Sequence, residues 1–218
     1  MMSFFFKNNK VPVDKQTLYS ILDHLISPRL KNHGLTWNGK YLWFDQPRES
    51  IRRVFHYTFL KGETGTFTWG VCPDFIPTIT TSNKLQFHRT DKSATPLLFE
   101  WPNEYANSFF GGNLKDGITT HWGQRETERS VKDLMDRYES QIFNWFKTAS
   151  SLEGLIQIAE RQIETGKSYD LHSPDPKLVL AFLYGRASQM DKAIQMIEVL
   201  NVEDFLKQDL IMRLESKA

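Results

Sequence analysis

The hydrophobic period of this chain changes once, near residue 123, and that change limits what it can fold into. Before it, apolar residues alternate. Phe55, Tyr57 and Phe59 fall on one side of an extended run, as do Phe67, Trp69 and Val71, with Thr66, Thr68 and Gly70 on the other. A period of two is the pattern of a half-buried strand. After it, Val131, Leu134, Met135, Tyr138, Ile142, Phe143 and Phe146 recur at three- and four-residue steps, one stripe of an amphipathic helix. Composition follows the same boundary. Residues 1–123 hold 21 of the 29 aromatic side chains and carry a formal charge of +4, while residues 124–218 carry −3. Aromatics suit a pleated surface, so the front favours strands and the back helices. The expected class is α+β: an antiparallel β-sheet packed against long amphipathic helices, with an all-helical C-terminal layer. Residues 1–150 read as the α+β domain and 151–218 as a helical extension packed on it.

One helix precedes the strands. Leu18, Ile21, Leu22, Leu25, Ile26 and Leu30 make an apolar stripe between Asp14, a natural N-cap, and Gly34, a natural stop. Asn38-Gly39 between Leu35–Trp37 and Tyr41–Phe44 is a hairpin signal. Alternation predicts a sheet of four to six strands with one wet face. Further strands are expected at Leu85–Arg89, Leu97–Trp101 and Ile118–Trp122. Behind the long helix, Ser150 or Ser151 caps the next one, and shorter helices follow at about 176–187, 191–200 and 202–214. Within them, Leu180 to Ala187 with Asp191 to Ile194 resembles one helical hairpin of a tetratricopeptide repeat. A solenoid stacks about three such units, and no second copy is visible, so a lone packed pair is expected.

The net charge of +1 gives no field for nucleic acid or an anionic membrane. Arg52-Arg53 is the one adjacent basic pair in the expected fold, too little for such a surface. A single cysteine, Cys72, excludes an internal disulfide. The first residues lack the long apolar region of a secretory signal. The longest apolar run, Leu178 to Tyr184, is too short to span a bilayer. The cytoplasm is the expected compartment.

Candidate chemistry is sparse. Gly34 to Tyr41 matches the spacing GxxxxGK, but a phosphate loop follows a strand and opens a helix, and its last position is a small hydroxyl. Here the helix comes first and Tyr41 takes that position, so a helix cap and hairpin are expected instead. Cys72 could act as a nucleophile only beside a base that lowers its pKa. His56, His88 and His121 are the candidates for that base, and together the candidates for a metal site. No ligand spacing supports either role, and neither catalytic residues, metal ligands nor a cofactor are expected. Trp37, Trp43 and Trp69 read as core. Trp101 and Trp122, near Pro102 and Gly123, are the expected binding aromatics, because an exposed tryptophan at a loop edge is a natural anchor for a partner.

The order of several segments resembles a bacterial family known as domain of unknown function 4304. They are Ile26-Ser27-Pro28-Arg29-Leu30-Lys31-Asn32-His33-Gly34-Leu35, Tyr41-Leu42-Trp43-Phe44, Phe55 to Leu60, Phe67 to Pro77, Ile118 to Gly123 and Ser150 to Leu155. The resemblance spans roughly residues 15–165 and implies no active-site residues. Bacteria use many small α+β proteins as antitoxins or immunity proteins that cap a toxin. The expected function is a non-catalytic binding or regulatory role with another protein as partner. The alternative is an enzyme whose site is assembled from dispersed histidine, cysteine and carboxylate side chains. A deep pocket joining those groups would favour the enzyme, and a flat patch rimmed by an aromatic would favour binding.

Overall fold

The computed structural model describes residues 11–47, 50–87, 96–102, 117–165 and 175–216. Its first helix, α1 (Lys15–Lys31), begins where Asp14 accepts the Thr17 amide at 2.8 Å and the Thr17 hydroxyl at 2.9 Å. Leu18, Ile21, Leu22, Ile26 and Leu30 form its buried stripe despite Pro28 in the last turn. Gly34, at φ +84°, turns the chain so that the Leu35 amide reaches back to the Leu30 carbonyl.

The strands are β1 (Thr36–Trp37), β2 (Leu42–Phe44), β3 (Ile51–Leu60), β4 (Thr64–Pro73), β5 (Thr78–Ile79), β6 (Leu85–Gln86), β7 (Leu98–Glu100) and β8 (Thr119–Thr120). Six form one sheet in the order β1-β2-β3-β4-β7, with β8 also on β4, and β5 pairs with β6 separately. The β1–β2, β4–β7, β4–β8 and β5–β6 pairs are antiparallel, with Trp37 facing Trp43 and Gly70 facing Phe99. The β1–β2 hairpin carries a four-residue loop rather than a two-residue turn. The Asn38 side chain organises it by accepting the amides of Lys40 and Leu42.

One expectation fails on β4. Alternation predicted a wet face, yet Thr66 and Thr68 are as buried as Phe67 and Trp69. Their hydroxyls make that burial tolerable. Thr66 donates to the Gly117 carbonyl at 2.6 Å, and Thr68 pairs with the Thr58 hydroxyl at 2.9 Å. The expected strand at Leu85–Arg89 covers only Leu85–Gln86 among the described residues, and positions 88 and 89 lie outside them.

The remaining helices are α2 (Gln124–Thr148), α3 (Leu152–Glu164), α4 (Pro176–Arg186), α5 (Met190–Glu198) and α6 (Asp204–Glu215). Strands and helices together make this an α+β protein. No described helix is long and apolar enough to cross a membrane.

By contacts the chain divides into two interleaved units. The first comprises Met1–Phe44, Phe55–Thr68 and Trp101–Ser140, and the second Asp45–Val54, Trp69–Glu100 and Gln141–Ala218. In the first, Trp43 is fully buried and donates its indole N–H to Ser27 on α1 at 2.8 Å. Arg29 ties α1 to α2 through Asp136 at 2.6 Å and Glu139 at 3.1 Å. In the second, Val71, Ile76, Leu97 and Leu98 share one apolar cluster with Leu155, Ala159, Leu183, Ile197 and Leu210. Helices α3 to α6 neighbour one another in chain order. The tetratricopeptide-like pair α4–α5 is thus flanked by a helix on each side. Ser188, at φ +56°, turns the chain between them, and Gly185 lies against Leu214 of α6.

Candidate functional site

Of the expected reactive side chains, Cys72 and His121 are buried and His56 is half-buried. Cys72 ends in a fully buried part of β4, where burial first and Asp74 second push its thiol up to about 12, against the opposing pull of Arg52. A thiol so placed stays protonated at neutral pH and is a poor nucleophile. His56 lies on β3 in the other unit, and burial pushes it down to about 4. His88 lies outside the described residues. No group of three or more His, Cys, Asp or Glu side chains among the described residues is placed to hold a metal.

His121 sits in a buried polar cluster. Its Nε2 lies 2.8 Å from the Tyr57 hydroxyl, which also bonds the Thr119 hydroxyl, and its Nδ1 is 3.8 Å from Glu63. Burial holds the His121 pKa down while Glu63 pulls it back up, and burial raises the Tyr57 phenol. The chain of groups Glu63, His121 and Tyr57 has the connectivity of a proton relay. However, Tyr57 is fully buried and His121 is only 4% exposed. Gly65 closes over the phenol so tightly that a Cβ there would overlap the Tyr57 hydroxyl. The cluster therefore joins β3, β4 and β8 and offers no room for a substrate.

The two expected binding tryptophans separate. Trp101 is half-buried just beyond β7, its indole nitrogen shielded from solvent. Trp122 is 42% exposed. It follows β8 and bridges to Pro12, while the Gly123 amide donates to the Val11 carbonyl. These bonds place Val11, itself 72% exposed, beside it. Trp122 edges an open cleft of about 330 Å³ whose other wall is the first half of α2, with Glu126, Arg129, Asp133 and Arg137. The arrangement is an apolar anchor beside alternating charges, the common anatomy of a recognition surface.

A second cleft, of about 270 Å³, was not anticipated. It lies in the unit containing the C-terminal helices, and its charged lining groups among the described residues are Asp45, Arg53 and Arg186. Asp45 is nearly buried and accepts both the Arg53 amide at 2.7 Å and its Nε at 2.6 Å. The Arg53 guanidinium lies 5.7 Å from the Phe146 ring, and that of Arg186 lies 5.6 Å from Phe75. One signal for this site stood in the sequence. Arg52 and Arg53 are consecutive in a strand, so one must point to each face, and a buried arginine demands a partner. Arg186 gave no such signal, because a basic residue in the last turn of a helix is ordinary.

No protein family, curated protein or solved structure matches the chain.

Proposed function

We propose that this chain is a non-catalytic binding protein, which engages another protein through the aromatic edge at Trp122. The observation that carries the reading is that Trp122 stands exposed at the rim of an open cleft, backed by the alternating charges of α2. Tryptophan buries a large rigid area for little lost entropy, and one such anchor can dominate an interface. Surrounding charges then choose the partner and speed the encounter. The state of Cys72 agrees, since burial leaves its thiol protonated at pH 7. A bacterial antitoxin or immunity protein works in this manner, capping its target without chemistry.

The test uses a photo-crosslinking amino acid in place of Val11, exposed beside an intact Trp122, in cells that naturally make the chain. The expected result is one discrete adduct. The protein identified in it should bind the purified chain, and Trp122→Ala should weaken that affinity at least about tenfold, a loss ordinary for a tryptophan anchor. An adduct partner that binds Trp122→Ala as well as the native chain would remove Trp122 from the interface. No adduct at position 11 would point away from this surface altogether.

A further inference from the structure

The geometry points to a binding site for a small oxyanion in the cleft bounded by Arg53 and Arg186, and we propose that its ligand is a phosphate monoester or carboxylate with a short apolar body. Each arginine has an ordinary explanation for its place. Arg53 answers Asp45, and Arg186 suits the negative end of α4. Neither explains why both line one cavity of about 270 Å³.

Charge decides what that cavity can accept. Among the described residues its ionised lining groups are two guanidiniums and one carboxylate. Both Asp45 oxygens are committed to Arg53, one to its amide and one to its Nε. The excess is one positive charge, carried by Arg186, which makes no ion pair among the described residues. Its guanidinium carbon lies 5.6 Å from the centre of the Phe75 ring, and an arginine held beside an aromatic ring can still offer its N–H groups to oxygen. An oxyanion matches the fork geometry of arginine better than any neutral group.

The rest of the lining gives the ligand its body. Ile51, Phe75 and Leu152 supply apolar wall. Leu152 is also the first residue of α3, a helix of 13 residues whose positive end adds to the field. The volume is slightly below the roughly 300 Å³ where drug-sized sites begin. A single ring or short chain bearing one oxyanion is the matching size. This site is separate from the Trp122 edge, so either can fail without the other.

Phenyl phosphate and benzoate are the probes, with benzyl alcohol as the neutral control, titrated at low salt by calorimetry and by the arginine side-chain NMR signals. The expected result is one saturable site for at least one of the two anions and none for the alcohol. The better anion tells a phosphate source from a carboxylate one. Arg186→Gln should weaken binding at least about tenfold, the size of one lost charge-assisted hydrogen bond. Arg186→Lys, which keeps the charge but loses the fork, should fall between. Arg161 is the control, because it is exposed on α3 and does not line this cleft. Arg161→Gln should change the affinity less than about twofold, as expected for a residue outside the site. Absent binding of both anions, equal binding of the alcohol, or an equal loss in Arg161→Gln would each overturn the proposal.

Discussion

His56 shows how burial of one residue sets a property of the whole chain. Its Nδ1 lies 3.2 Å from the Thr58 hydroxyl, and its ring meets Tyr41 edge-on at 5.1 Å. Burial lowers its pKa from 6.5 to about 4. Between those values the unfolded chain holds a proton that the folded chain refuses. Stability is therefore complete above pH 6.5 and is lost as the pH falls toward 4, by on the order of 2 to 3 kcal/mol. His121 is also lowered by burial and adds a loss of the same sign. Urea midpoints at pH 7 and pH 4.5 measure this, and His56→Gln should show a clearly smaller drop than the native chain. An equal drop would mean that other groups carry the acid sensitivity. Residues of this kind were partly legible in the sequence. Trp43 read as core from its strand position, and Trp101 and Trp122 as the two candidates for exposure, of which Trp101 is half-buried and Trp122 exposed. The partnership of Asp45 with Arg53 did not show, because they are eight positions apart and only the pairing of β2 with β3 brings them together.

At the scale of elements, local chemistry marks the boundaries. The start of α3 is an example. Ser151 accepts the Gly154 amide at 3.1 Å, whereas the Ser150 hydroxyl donates backwards to the Lys147 carbonyl at 2.7 Å. Gly154 lies so close to the Thr148 carbonyl that a Cβ there would overlap it. The two helix ends are thus fastened together within three residues. Ser151→Ala should cost about 1 kcal/mol, the usual worth of an N-cap, and Ser150→Ala less, seen as unequal shifts in the urea midpoint. Equal shifts would show that the cap is not what holds α3 to α2. The sequence offered both serines, and periodicity could not choose between them. It placed α1 and α2 closely, because each has a long apolar stripe and a cap or glycine at an end. It misjudged β4, because alternation reports which side chains are apolar and not whether threonines opposite them are covered. Thr66 and Thr68 are buried through hydroxyl bonds to Gly117 and Thr58, partners distant in sequence or on another strand.

For the whole molecule, the decisive question is whether residues after Ala149 are an appendage. Four apolar side chains from earlier in the chain, Val71, Ile76, Leu97 and Leu98, belong to the same buried cluster as the helices α3 to α6. A polar tie accompanies them, since the buried Gln162 of α3 donates to the Phe99 carbonyl on β7 at 2.8 Å. Returning four such side chains fully to water costs about 6 to 12 kcal/mol. That matches the entire stability of an ordinary domain, about 5 to 15 kcal/mol. The helices have the converse need. Some 68 residues rarely bury enough apolar surface to stand alone without staples. Truncation after Ala149 should therefore remove cooperative unfolding near the native midpoint and leave a chain that self-associates through its bared apolar face. Calorimetry and light scattering on residues 1–149 beside the full chain would read both effects. A truncated chain that remains monomeric and melts at the native midpoint would make the helices a separate arm, and the shared cluster would then contribute little to the stability of the strands.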